Sequence, residues 1–153
     1  MLAKIKEAIP KLVKGLSGNG IDKAKVAIMT TDTFAKEIAV KFRVGKRVIT
    51  LCGIAKGAGM IAPNLATMLV FIMSDANITQ GALNRALTIS IDDSFNCITV
   101  DGCMSTNDTV CVLANGASRN NLIGTDKYFK TFLKALHIVC LELAKMIIND
   151  AEG

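Results

Sequence analysis

A threonine that follows a small residue at the mouth of a strand, behind a glycine-rich loop, is a place where acyl chemistry can begin. Ala66-Thr67 has that setting: the glycine-rich stretch Gly53 to Gly59 and Pro63-Asn64 precede it, and the β-branched and apolar run Thr67–Met73 follows. A threonine hydroxyl is a poor nucleophile until a neighbouring base takes its proton. If the threonine becomes the N-terminus of its own chain, its α-amine, with an ordinary pKa near ~7.7–8, is that base at neutral pH. Exposing the amine requires the hydroxyl to attack the carbonyl of the preceding residue first. Ala66 leaves room for the attack, and Pro63 with the glycines of KGAG suits a strained loop that helps drive it. The same pair serves equally well as a core or turn feature, and spacing alone does not choose.

Other constellations point to weaker chemistry. Gly57-Ala-Gly59-Met-Ile-Ala62 fits the G-x-G-x-x-A pattern of dinucleotide-binding loops. That fingerprint needs a helix to begin in the loop and meet the pyrophosphate, which Pro63-Asn64 and the β-type run argue against. No G-x-x-x-x-G-K-[ST] loop occurs. The five cysteines, at 52, 97, 103, 111 and 140, contain no C-x-x-C pair, and His137 is the single histidine. No zinc site is expected, and reduced thiols in a cytoplasmic protein fit this usage. His137 borders a helical stripe and reads as structural. Asp92-Asp93 and Asp101 match no EF-hand loop and suit turn duty.

The elements that would position these residues follow from periodicity. Ile5, Ile9, Leu12, Val13 and Leu16 keep helical spacing, with Pro10 inside the run and Gly15-Leu-Ser-Gly-Asn-Gly ending it. Lys25–Thr31 reads as a short buried strand. Ile38, Val40, Phe42 and Val44 alternate, and Gly45-Lys46 turns the chain into a second strand, Arg47–Cys52, as a hairpin. Thr79 caps a helix to about Ile91. Cys97–Val100 and Asp108–Ala114 read as strands. From Thr125 a cap leads into a helix over 126–149, where Phe129, Phe132, Leu133, Leu136, Val139, Cys140, Leu143 and Ile147 form one stripe. Without a regular βαβ rhythm, the pattern favours a single α+β domain over 1–153.

Composition narrows the partners. The apolar fraction is 51% and the charged fraction 20%, which is globular. Mean hydropathy of +0.42 is high, yet no apolar run reaches the ~18–20 residues that span a bilayer. The alternative cause is a surface meant to be covered. No secretory or transit signal is read in the opening residues, where lysines are spread through the run and Glu7 interrupts it. Residues 1–56 hold twelve of the eighteen Lys and Arg, but without clustered Arg or interleaved aromatics, so nucleic acid is not the expected partner. Solvated faces, or a site for carboxylate substrates, account for the charge better.

Three motifs then raise the standing of Thr67. MTTDT at 29–33, GIAKGAGMIAPNLATML at 53–69 and SFNCITVDGCMSTNDTV at 94–110 together resemble the ornithine acetyltransferase family, the glutamate N-acetyltransferases. The resemblance implies a layered sheet-and-helix fold like that of N-terminal-nucleophile proteins, incomplete in this chain. It implies self-cleavage between Ala66 and Thr67, giving 1–66 and 67–153, and assembly of the two pieces, in the family as a heterotetramer. Thr67 would then carry acetyl from N-acetylornithine to glutamate in cytoplasmic arginine biosynthesis. No cofactor is implied, although acetyl-CoA serves some members as donor. Substrate-binding positions carry over to Thr30 (with Thr31 as the fallback), Lys56, Thr67 and, from a GEGA-like motif, Glu152. A lysine suits an α-carboxylate and a carboxylate suits an amine. Cys103 stands where the family's VDGD motif has an aspartate, and Ala35 replaces a common proline. The chain corresponds to a central portion of the family, whose oxyanion-hole Thr-Gly pair is expected upstream. A catalytically incomplete fragment or assembly partner of the same family is the companion expectation, and a nucleotide-binding domain using Gly57–Ala62 the more distant one.

Overall fold

The computed structural model describes residues 2–59, 68–100, 107–125 and 127–151. Four strands form one sheet in the order β1 (Lys36–Val44), β2 (Arg47–Lys56), β3 (Leu69–Ser74), β4 (Thr109–Ala114). The hairpin turns at Gly45-Lys46 and pairs Val44 with Arg47. β2 pairs β3 antiparallel, from Leu51 opposite Ser74 to Lys56 opposite Leu69, and β3 pairs β4 in parallel. Helix α3 (Gln80–Asp92) lies in the crossover between the parallel strands, with the Thr79 side chain accepting the Ala82 amide as its cap. The long helix α4 (Lys127–Asn149) lies across β1 and β2 with α3 beside it. The α+β class expected from the sequence is the class observed.

The core sits between α4 and one face of the sheet. Ile49, Leu51, Val70 and Ile72 from the strands meet Phe132, Leu136, Val139, Leu143 and Ile147, all fully buried. Phe42 of β1 meets Phe132 edge-to-face at 6.0 Å between centroids. Gly53 lets α4 come this close. A Cβ there would stand 2.8 Å from Leu143 Cδ1 and 2.9 Å from Val139 Cγ1, inside any real contact distance.

Several expectations give way. Gly20–Ala27, where a buried strand was expected from Lys25, is a helix, α2, with no buried residue. Its β-branched Val26 faces solvent, and Asp22 pairs with Lys25 one turn on at 2.9 Å, a local contact that suits a helix. Gly53–Lys56 belong to β2 and not to the loop, because the antiparallel ladder with β3 runs through Lys56. Phe95–Cys97 form a 3-10 turn continuing α3 where a strand was expected from Cys97, with Phe95 in the core. The helix α1 (Leu2–Lys14) runs through Pro10, yet its apolar stripe is exposed and none of its residues is buried. No helix among the described residues is long and apolar enough to cross a membrane.

Candidate functional site

Lys56 closes β2. Register puts it on the sheet face away from α4, in line with Cys52 and Ile54, and only 6% of it is exposed. Its ammonium donates to the Thr30 hydroxyl at 3.3 Å. Among the described residues no carboxylate lies in ion-pair contact with it. A buried cation normally keeps a counter-charge, and here the described residues supply only a hydroxyl in contact.

The backbone around this pair is held by a second, fully dry cluster. Asp32 accepts the Gly57 amide at 2.7 Å, the Thr30 amide at 3.1 Å and the Lys36 ammonium at 2.7 Å. Lys36 also reaches Asp150, past the end of α4, at 2.5 Å, and both the Thr33 amide and hydroxyl donate to Asp150. The side chains of Asp32 and Lys36 are completely buried, and that of Asp150 nearly so. Burial alone would push both carboxyls up. For Asp32 the Gly57 amide, Lys36 and the Thr30 amide outweigh it, and for Asp150 Lys36 and Thr33 do, so both lie below the usual carboxylate range. Gly57 leaves β2 at φ 151, a conformation that side chains disfavour, and this lets its amide face Asp32.

A third aspartate behaves oppositely. Asp108, just ahead of β4, accepts the amide of Met68, the residue after Thr67 in the sequence. Its other oxygen is buried and has no hydrogen-bond partner among the described residues. Burial pushes its carboxyl above the usual range, against the pull of the Met68 amide and the Lys56 charge.

Of the expected site residues, Thr30 and Lys56 are brought into contact. Ala66, Thr67 and Glu152 lie outside the described residues, as do Met60–Ala62 of the rival loop, Asp101 and Cys103. The dinucleotide reading meets a direct obstacle: β2 and β3, on either side of that loop, are antiparallel, whereas the fingerprint belongs to parallel βαβ strands. His137 lines a surface groove between α3 and α4 with Ile89, Asp93 and Leu133. The sequence reading missed Asp32, Lys36, Asp150 and Asp108. Asp32 and Lys36 are four residues apart but outside any helix, so their spacing was no signal of contact.

The ArgJ family model matches residues 1–153. The bifunctional arginine biosynthesis protein ArgJ 1 of Clostridium acetobutylicum is 51% identical over 98% of this chain and 37% of its own length. A glutamate N-acetyltransferase of Methanococcus vannielii is 53% identical over 90% of this chain and 33% of its own. The crystal structure of the ArgJ protein from Bacillus halodurans superposes with a TM-score of 0.52 at 44% identity, covering 54% of this chain and 39% of that one. The chain thus spans about a third of the length of the relatives it matches.

Proposed function

The chain belongs to the ArgJ family, and on that premise we propose that it carries the centre that moves acetyl from N-acetylornithine to glutamate through an ester on Thr67. In the first step Thr67 Oγ attacks the Ala66 carbonyl carbon and the peptide shifts to an ester. Water then hydrolyses the ester, leaving the Ala66 carboxylate and a free Thr67 α-amine. In the second, Oγ attacks the acetyl carbonyl while the amine takes its proton, and ornithine leaves with its amine restored. The amine of glutamate then attacks the acetyl-threonine ester and regenerates the hydroxyl. Acetyl-CoA enters only as an alternative donor.

Lys56 is the observation that carries this reading. A buried ammonium bonded to a neutral hydroxyl, and to no carboxylate among the described residues, suits the α-carboxylate that both amino-acid substrates bring. Thr30 fixes its direction, and Glu152 is assigned the substrate amine. The two pieces are expected to stay together and to assemble as a heterotetramer, in cytoplasmic arginine biosynthesis.

Intact mass spectrometry tests the first step. Two species, residues 1–66 and 67–153, are expected, and Thr67→Ala should leave one. Radiolabelled acetyl should then pass from N-acetylornithine to glutamate in the cut form only. A single uncut species that transfers nothing would defeat the proposal. It would favour a fragment that needs other parts of the family polypeptide, in keeping with the span of 37%.

A further inference from the structure

We infer that Asp32 is the positioning residue that sets the Lys56–Thr30 pair to receive a carboxylate, with Lys36 and Asp150 holding it in place. The inference rests on the reading of Lys56 given above. One carboxylate binds the backbone on both sides of the contact: the Gly57 amide is bonded covalently to the carbonyl of Lys56, and the Thr30 amide belongs to the residue that accepts from Lys56. A lysine side chain has several rotatable bonds. Its ammonium stays at one point only when its backbone and its acceptor are fixed relative to each other. Asp32 makes that connection, across the twenty-five residues that separate it from Gly57.

Lys36 and Asp150 explain how such a carboxylate can be kept dry. Two carboxylates share one ammonium, and the surplus negative charge is met by the amides of Gly57, Thr30 and Thr33 and the Thr33 hydroxyl. The arrangement also ties the end of α4 to the start of β1. A purely structural cluster would do no more than that tie, so the two roles make different predictions. Asp32→Asn is the informative variant because it leaves Lys36 and Asp150 as a balanced pair. Thr33→Val loosens the Asp150 tie without touching Asp32.

The test uses the full chain and L-glutamate as the probe, with wild type, Asp32→Asn, Lys56→Met, their double variant and Thr33→Val. Asp32→Asn should speed amide hydrogen exchange at Gly57 and Thr30 by about tenfold or more, while the β2–β3 ladder stays protected. It should weaken glutamate binding about tenfold in wild type and have no further effect once Lys56 is Met, because coupled residues are not additive. Thr33→Val should leave binding as it was. Independent, multiplying losses for Asp32 and Lys56, equal losses in Asp32→Asn and Thr33→Val, or unchanged exchange at Gly57 and Thr30 would each overturn the inference. If Asp32→Asn does not fold, Asp32→Glu carries the same expectations, since it keeps the charge and moves the oxygens by one methylene. If wild type and Lys56→Met bind glutamate alike, or neither binds it, the carboxylate reading of Lys56 fails, and the exchange arm alone decides whether Asp32 fixes the pair.

Discussion

On one face of the sheet Gly53, Leu51, Val70 and Ile72 lie under α4, with Leu143 and Val139 so near Gly53 that no side chain fits between them. On the other face Cys52, Phe71 and Met73 are half-buried, Leu113 is 61% exposed, and the ammonium of Lys56 waits without a carboxylate partner among the described residues. The first face is dense, apolar and complete. The second is apolar in part, carries the charge, and is covered in part by α2, whose Lys25 reaches Glu37 of β1 at 2.5 Å. The apolar packing and the buried ammonium thus lie on opposite sides of the same strands. β2 belongs to both: its odd-numbered residues from Ile49 to Ala55 pack the core, and it ends at the lysine.

The comparison is broken most severely by emptying the covered face. Phe132→Ala removes a fully buried ring in contact with Phe42 and should cost about 3–5 kcal/mol of unfolding free energy in urea melts. A loss under about 1 kcal/mol would mean that this face is not the main source of stability. Gly53→Ala overfills the same interface, and a cost of about 1–3 kcal/mol is expected. If the variant proves neutral, α4 sits farther from β2 than its contacts indicate.

Acid separates the carboxylates by sign. Asp32 and Asp150 titrate below their unfolded values, so on acidification the unfolded chain takes up protons first. Their contribution is whole above about pH 4 and is lost as the pH falls through the lowered folded values. Asp108 titrates high when folded, so its burial opposes folding at neutral pH, and that penalty is relieved as acid protonates it. Urea midpoints followed from pH 7 to pH 2 should therefore fall less steeply in Asp150→Asn than in wild type, while Asp108→Asn should gain stability at pH 7. Parallel curves for all three proteins would contradict this assignment. The smallest effect belongs to the open face: Leu113→Ser should shift stability by no more than about 0.5 kcal/mol.

The sequence made the covered face legible and half of the open one. The stripe from Phe129 to Ile147, the Thr79 cap and the Gly45-Lys46 turn depend on local periodicity and local chemistry, and each is where it was expected. α2 reads as a strand in the sequence because Val26 and Ile28 carry a β signal, yet Val26 is exposed and Ile28 only caps the helix. Gly53 looked like loop because a glycine demanded by a neighbouring helix 86 residues away reads the same as one demanded by a turn. Thr30 and Lys56 were reached through resemblance, and their contact bears on the pairing. In the Asp32–Lys36–Asp150 cluster the bonded pair Lys36–Asp150 is 114 positions apart, and no local pattern encodes such a closure.

The antiparallel ladder between β2 and β3 has one more consequence. A cut after Ala66 would divide the sheet between two polypeptides along the six residue pairs from Leu51–Ser74 to Lys56–Leu69. α4 and β3 would then belong to one piece and β1 and β2 to the other, with the ion pair of Lys36 and Asp150 crossing the boundary. What had been a tether holding the strands at high effective concentration would be gone, and rejoining would become second order in protein. The cut product would hold together while folded, yet once unfolded and diluted it would lose the route by which it first formed. Its maturation would be an irreversible commitment written into the strand order.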